Sequence, residues 1–203
     1  MIVILDRQHI GKPNKADLGA GADIDGDGTI EVHEMEANLT PLYIKGAKQY
    51  LEIRNHNVNV IEEGWYSDRQ RTANRIAKVN PTTSVSYVTC HLNAGKGDYA
   101  SIFYDQRSMS GKALAEHIAD AVRALELRGV KRVLAKPANP NDWTKHAWNT
   151  IRHIYNGPNN ISGVCFEPLF IDTEDHQPHL KPEPMHKIGQ ALAAGCLAWN
   201  AGR

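Results

Sequence analysis

Four carboxylates stand at the first, third, fifth and twelfth places of residues 23–34, DIDGDGTIEVHE: Asp23, Asp25, Asp27 and Glu34. Gly28 is sixth and Ile30 eighth. This is the loop pattern that wraps a calcium ion, a hard cation that takes about six to eight oxygens. The glycine permits the sharp turn, the backbone carbonyl of Thr29 adds a ligand, Glu31 serves directly or through water, and Glu34 closes the site with both oxygens. A lone Asp-x-Asp-Gly would be ordinary turn chemistry. Here the carboxylates, the glycine and the apolar eighth position agree, so Ca2+ is expected as a structural ion. Gly19 and Gly21 precede the loop in a stretch that reads as coil, which argues against a helix on both sides of it. Two residues after Glu34 comes another carboxylate, Glu36, at the mouth of a helical pattern.

A second set of residues able to bind metal or move protons follows β-branched or apolar runs. His9 comes after the run 2–5, His91 ends the run 84–90, and Glu167 ends the run 163–166. In open α/β sheets the ends of strands are where sites form. Each residue also has an ordinary reading. The chain holds ten histidines, most of which must be core or surface residues, and a strand-end glutamate often makes only a surface ion pair.

The elements that must position these residues follow from periodicity. Strands are expected at 2–5, 58–61, 84–90, 100–104 and 163–166. Helices are expected at 36–54, with Leu39, Tyr43, Ala47 and Leu51 in register; at 67–78; at 110–127, with Leu114, Ile118, Val122 and Leu125 on one stripe; and at 184–200, with Ile188, Leu192, Cys196 and Trp199 turned inward. Pro41 is tolerable only near a helix start. Residues 131–160, with Trp143 and Trp148 among Asn, Pro and Lys, read as a surface excursion over the site. The two tryptophans are either a sugar-stacking wall or core packing, with packing expected for at least one. Strands alternating with helices make a three-layer α/β domain, with a mostly parallel twisted sheet of about six strands and helices on both faces.

At 203 residues one core suffices, and 1–203 is expected to be a single domain carrying the loop 23–34 before its first helix. Lys plus Arg equals Asp plus Glu at 23 each, so no global field favours nucleic acid or an anionic membrane surface. No nucleic-acid partner and no stable membrane insertion are expected. Cys90, Cys165 and Cys196 are odd in number and lack CxxC spacing, so they read as small core residues rather than a disulfide framework. MIVILDRQH has neither a basic start nor a long apolar run, so synthesis in the cytoplasm without a signal peptide is expected.

Taken together, these motifs resemble the zinc-dependent N-acetylmuramoyl-L-alanine amidases of bacterial autolysins and phage endolysins (amidase type 3). Ile4-Leu5-Asp6-x-x-His9 is similar to that family's opening strand and first ligand, although the usual Gly-His-Gly-Gly has become Gln8-His9-Ile10-Gly11. Residues 67–74, with Arg69 and Ala73-Asn74, resemble its polar helix. His91-Leu92-Asn93-Ala94 resembles its His-x-Asn-Ala, and residues 164–170 resemble the strand that presents its glutamate.

The resemblance implies Zn2+ held by His9, His91 and a helix-start glutamate, with Glu167 as general base and acid, and Asn93 as a substrate contact. The helix-start ligand is Glu36 or Glu34. Glu36 keeps the following helix and strand in place without a gap and leaves Glu34 to the calcium loop. The spacing to Asn38, Glu four residues before Asn, favours Glu34. The implied substrate is peptidoglycan, cut between muramic acid and L-alanine by a monomeric endolysin that reaches the wall after membrane permeabilisation. Two other readings stay open: a zinc peptidase or amidohydrolase with another substrate, and a calcium-binding interaction domain whose histidines are structural.

Overall fold

The computed structural model describes residues 1–13 and 17–203; residues 14–16 of the Gly-, Pro- and Lys-rich segment after His9 lie outside it. Six strands make one sheet: β1 (Ile2–Arg7), β2 (Asn57–Ile61), β3 (Val85–Cys90), β4 (Tyr99–Asp105), β5 (Arg132–Ala138) and β6 (Ile161–Glu167). Their spatial order is β2-β1-β3-β6-β4-β5. Every neighbouring pair is parallel except β4 against β6. Every residue of β3 and β6 is buried, as strands covered on both faces must be, and this is why they read in sequence as runs of apolar and small hydroxyl-bearing residues.

Strand alternation assigns each side chain to a layer. Val3, Leu5, Val88, Val164 and Phe166 face α1 (Glu36–Glu52), α3 (Met109–Arg123) and α5 (Pro182–Ala201). Ile2, Ile4, Val85, Tyr87 and Cys165 face α2 (Tyr66–Val79) and α4 (Lys145–Tyr155). The expected three layers are therefore present. The helix stripes meet the core as their spacing requires, with Tyr43, Ala47, Leu51, Leu114, Ile118, Ile188, Leu192 and Cys196 all buried. Cys90, Cys165 and Cys196 are free and buried.

Residues 131–160 depart from the expectation of a surface excursion. They supply β5 and α4, a strand and a helix of the fold. β5 is the sheet's edge, with only Val133 and Ala138 buried, so it lacks a continuous apolar run, and an edge is where Pro137 can replace a ladder donor. α4 buries Ala147, Thr150, Ile151 and Ile154, a helical stripe diluted by the polar residues around it. Trp148 packs half-buried against the second core, whereas Trp143 is 58% exposed.

The start of α1 is fixed by two local devices. The N–H groups of Glu36 and Ala37, which a helix leaves unpaired, donate to the carbonyls of Ala20 and Leu18 at 2.8 and 3.0 Å. Pro41, inside the helix, has no N–H for the carbonyl of Ala37. That carbonyl accepts instead from the Arg7 guanidinium, through Nη2 at 2.8 Å and Nε at 3.3 Å. The end of β1 is thereby tied to the first turn of α1.

Candidate metal and acid–base site

Register brings the strand-end residues together. Arg7 pairs with Cys90 and Cys90 with Phe166, so Gln8, His91 and Glu167 leave the three central strands side by side at their C-terminal edge. His9 lies one residue further on, with φ of 61° in the left-handed region that non-glycine residues seldom occupy. Gly11 follows at φ 64°, where a Cβ would lie 2.0 Å from the carbonyl oxygen of Glu62. Of the three glycines in the Gly-His-Gly-Gly motif, the two replaced here fall at Gln8 and Ile10, neither at positive φ, and the one kept, Gly11, stands where a side chain would clash.

Glu36, the first residue of α1, meets both histidines. Its Oε1 lies 2.9 Å from His91 Nδ1 and 3.2 Å from His9 Nε2, and the two nitrogens are 3.2 Å apart. Glu36 is held from behind by the N–H of Leu92 on Oε1 at 2.9 Å and the N–H of Ala20 on Oε2 at 3.3 Å. The backbone at Gly19 passes so close that a Cβ there would sit 2.5 Å from Glu36 Oε2. His9 Nδ1 faces Asp17 Oδ1 at 2.9 Å, so this nitrogen donates and Nε2 is the one turned to the cluster, where it could offer a lone pair to a metal ion. Asp17 is also paired with the Lys12 ammonium.

Three electron-pair donors converging in a buried corner need a cation among them. In their own company they share protons. Burial pushes the Glu36 carboxyl up, but hydrogen bonds from His9 and His91 outweigh it and hold it at about 2. Burial likewise opposes protonation of His9, yet the hydrogen bond and charge of Glu36 leave its pKa raised. Tetrahedral coordination with bonds of about 2.0–2.1 Å separates neighbouring ligand atoms by roughly 3.3 Å. The observed triangle is within a few tenths of that, and two imidazoles with one carboxylate are a donor set that zinc accepts.

Glu34 lies apart from the histidines. Its Oε1 accepts the N–H groups of Ile24 and Asp25 at 2.6 and 3.2 Å, and its Oε2 that of Glu31 at 3.0 Å. It thus pins the two ends of the acidic loop together, beside an antiparallel bridge between Gly21 and Met35. The carboxylates of Asp23, Asp25 and Asp27 approach within 4.8 Å of one another. Asp23 accepts the N–H groups of Gly26 at 2.7 Å and Gly28 at 2.9 Å. Thr29 donates its N–H and hydroxyl to Asp27 at 2.9 and 2.7 Å. The loop ends in a short 3₁₀ turn (Val32–Glu34) that leads into α1, and among the described residues no helix precedes it.

His9, Glu36, His91, Asn93 and Glu167 share one cavity of about 560 Å³, walled further by Tyr66, Tyr99, Trp143, His146 and Phe170. The Asn93 side chain turns back to accept the N–H of Ala94 at 2.8 Å. Glu167 offers one engaged and one free oxygen: Oε1 lies 3.1 Å from His146 Nε2, while Oε2 is buried with no protein partner. The sequence motifs single out neither His146 nor Asp17. For His146 a signal was present, since Ala147, Ile151 and Ile154 at helical spacing place it one step from the buried stripe of α4. Asp17 stands in coil, where no periodicity marks it.

No family model matches the sequence, and no curated protein does. Solved structures do match. The chain is similar over 97% of its length to Cwp6 from Clostridium difficile, with TM-score 0.69 and 20% identity, spanning 29% of that chain. It is similar over 99% of its length to the N-acetylmuramoyl-L-alanine amidase AmiC2 of Nostoc punctiforme, with TM-score 0.67 and 18% identity, spanning 97% of that chain. The catalytic domain of the CD27L endolysin targeting Clostridia difficile matches with TM-score 0.62 and 16% identity over 98% of this chain and 97% of that one. At these identities the likeness establishes a shared fold.

Proposed function

We propose that residues 1–203 form one catalytic domain, a zinc-dependent N-acetylmuramoyl-L-alanine amidase acting on peptidoglycan. The observation that carries this reading is the meeting of His9, Glu36 and His91 donor atoms in the same cavity as a glutamate with a free buried oxygen. The fold shared with structures titled as such amidases supplies the substrate class. His9, Glu36 and His91 would hold the zinc, which when bound lowers the pKa of a water towards ~7 and polarises a carbonyl. Asp17 and the N–H groups of Leu92 and Ala20 orient the ligands. Glu167 Oε2 takes the proton of the attacking water and returns it to the leaving amide nitrogen. Trp143 and Tyr99 line the cavity as an amphipathic wall suited to a sugar's apolar face, with Asn93 in the same cavity as a polar contact.

The acidic loop is proposed to take Ca2+ through Asp23, Asp25, Asp27, the carbonyl of Thr29 and Glu34. In support, the three aspartates cluster and Asp23 accepts the N–H groups at the loop's fourth and sixth places. Use as an endolysin by a monomer, reaching the wall after membrane permeabilisation, is the same proposal at the level of the cell. Among the described residues no helix is long and apolar enough to cross a membrane.

The deciding experiment is hydrolysis of dye-labelled sacculi by the zinc-loaded protein, with analysis of the freed termini. New L-alanine amino termini are expected. Release of any other terminus assigns a different hydrolase, and no release together with no bound zinc removes the enzyme reading.

A further inference from the structure

Glu167 Oε1 is engaged by a side chain from α4 and, at 3.7 Å, by the Cys165 thiol on its own strand. Cys165 and Glu167 lie two apart on β6, so both face the α2/α4 layer, and His146 in the first turn of α4 reaches Glu167 Oε1 at 3.1 Å through Nε2. Its other nitrogen, Nδ1, lies 2.9 Å from the backbone carbonyl of Trp143. A carbonyl only accepts, so Nδ1 carries a proton. Nε2 then meets a carboxylate oxygen, and that contact is a hydrogen bond only if one more proton lies between them. The ring is held in place, in contact with the Phe103 edge and stacked on Trp143.

We infer that His146 and Glu167 form a proton-holding pair in which the His146 imidazolium engages Oε1 and so aims the free Oε2 at the reacting water. The inference rests on Glu167 being the acid–base residue of the proposed amidase. His146 is a positioning residue: it acts through Glu167 and not on the reacting atoms. In the reaction the water O–H proton passes to Oε2 while the C–O bond forms, and the same proton passes on to nitrogen as the C–N bond breaks. The His146 proton stays throughout.

The pair's surroundings favour the charged form. The hydrogen bond to Glu167 outweighs partial burial and raises the His146 pKa, with Glu36 across the cavity adding in the same sense. Lys136 on β5 opposes it, its ammonium resting over the rings of Trp143 and Tyr99 at 4.5 and 5.0 Å. From β4 the Phe103 ring meets the His146 ring, and Asp142 in the preceding turn is spent on Thr144 and Asn139. Above the pair's pKa, a neutral His146 that keeps its Nδ1–H turns a lone pair towards Oε1. The hold on Glu167 is then lost, so turnover should fall as pH rises through a value above that of an ordinary histidine.

The test has two arms. In the zinc-loaded protein, NMR titration of the His146 ring should give a midpoint above the ordinary histidine value that drops by roughly one pH unit or more in Glu167→Gln. In sacculus hydrolysis, His146→Gln, which donates to Oε1 at every pH, should lose the basic limb of the wild-type profile, and His146→Ala should be slower by about tenfold across the range. An unchanged midpoint in Glu167→Gln, or an unchanged basic limb in His146→Gln, overturns the inference. If the wild type hydrolyses no sacculi, the amidase reading fails by itself, and the titration arm still decides whether the pair shares a proton.

Discussion

His9 Nδ1 lies 2.9 Å from Asp17 Oδ1, and the same carboxylate pairs with the Lys12 ammonium. Desolvation acts against the Asp17 charge, but hydrogen bonds from Lys12 and His9 hold its carboxyl well below the usual range. The imidazole is thereby fixed in the tautomer that aims Nε2 at Glu36 and His91. Partners of this kind typically contribute roughly 10- to 100-fold to metal affinity. Asp17→Ala should weaken zinc binding by that factor in competition with a chromogenic chelator. Unaltered affinity would mean that packing alone orients the ring.

Glu167→Gln keeps the shape of the side chain and the contact of one oxygen with His146 but cannot accept the water proton. Sacculus hydrolysis should fall by ~100-fold or more, as loss of a general acid–base group implies, with zinc content and fold unchanged. Activity near wild type would assign the proton transfer to another residue.

Beneath the site, Arg69 and Asp6 form a fully buried ion pair at 2.6 Å, and the Tyr87 hydroxyl donates to the other Asp6 oxygen. Arg69 also donates to the carbonyls of Arg7, Ile10, Gly64 and Glu62, so one guanidinium ties β1 to the turn that carries His9. Arg69→Met would leave a buried carboxylate without its countercharge and four carbonyls without a donor. Urea unfolding should show a loss of about 3–5 kcal/mol, the range for breaking a buried pair from one side. A loss below about 1 kcal/mol would show that water replaces the guanidinium.

Much of this arrangement was legible in the sequence because the central strands of a parallel sheet must be apolar on both faces. Runs such as 84–90 and 163–166 announce themselves, and the polar residue ending each run marks the sheet's C-terminal edge. Glu36 could be put at the start of α1 because the apolar residues after it keep helical spacing, while the choice between it and Glu34 as ligand stayed open in the sequence. What was not legible depends on contacts distant in sequence. β5 is a half-exposed edge strand containing a proline, so its pattern is faint. α4 mixes His, Trp, Asn and Arg with its few buried residues, which hid His146. Asp17 is recruited by a histidine eight residues away, a relationship no local pattern encodes.

Glu34 and Glu36 stand two residues apart with different partners, and their substitutions should fail differently. Glu36 touches both His9 and His91, whereas Glu34 meets the backbone and the Glu31 side chain of the acidic loop. Glu36→Gln should lose zinc and activity at any calcium concentration, since two remaining protein ligands hold the ion poorly. Glu34→Gln has one carbonyl oxygen where the wild type uses two oxygens for the N–H groups of Ile24, Asp25 and Glu31. It should lower the melting temperature even without calcium, because the loop's ends are no longer pinned. With calcium the gap should widen, since a ligand bound only by the native state stabilises it by RT ln(1 + [L]/Kd) and this variant binds it more weakly. Supplied zinc should restore much of its activity. The loop runs directly into the first turn of α1, so a calcium-selective chelator should also reduce wild-type turnover. Zinc content, calcium content and melting curves for both variants, with the chelator as a third arm, read all of this. Loss of zinc from Glu34→Gln with retention in Glu36→Gln would reverse the two assignments, and a wild-type melting temperature indifferent to calcium would remove the calcium proposal alone.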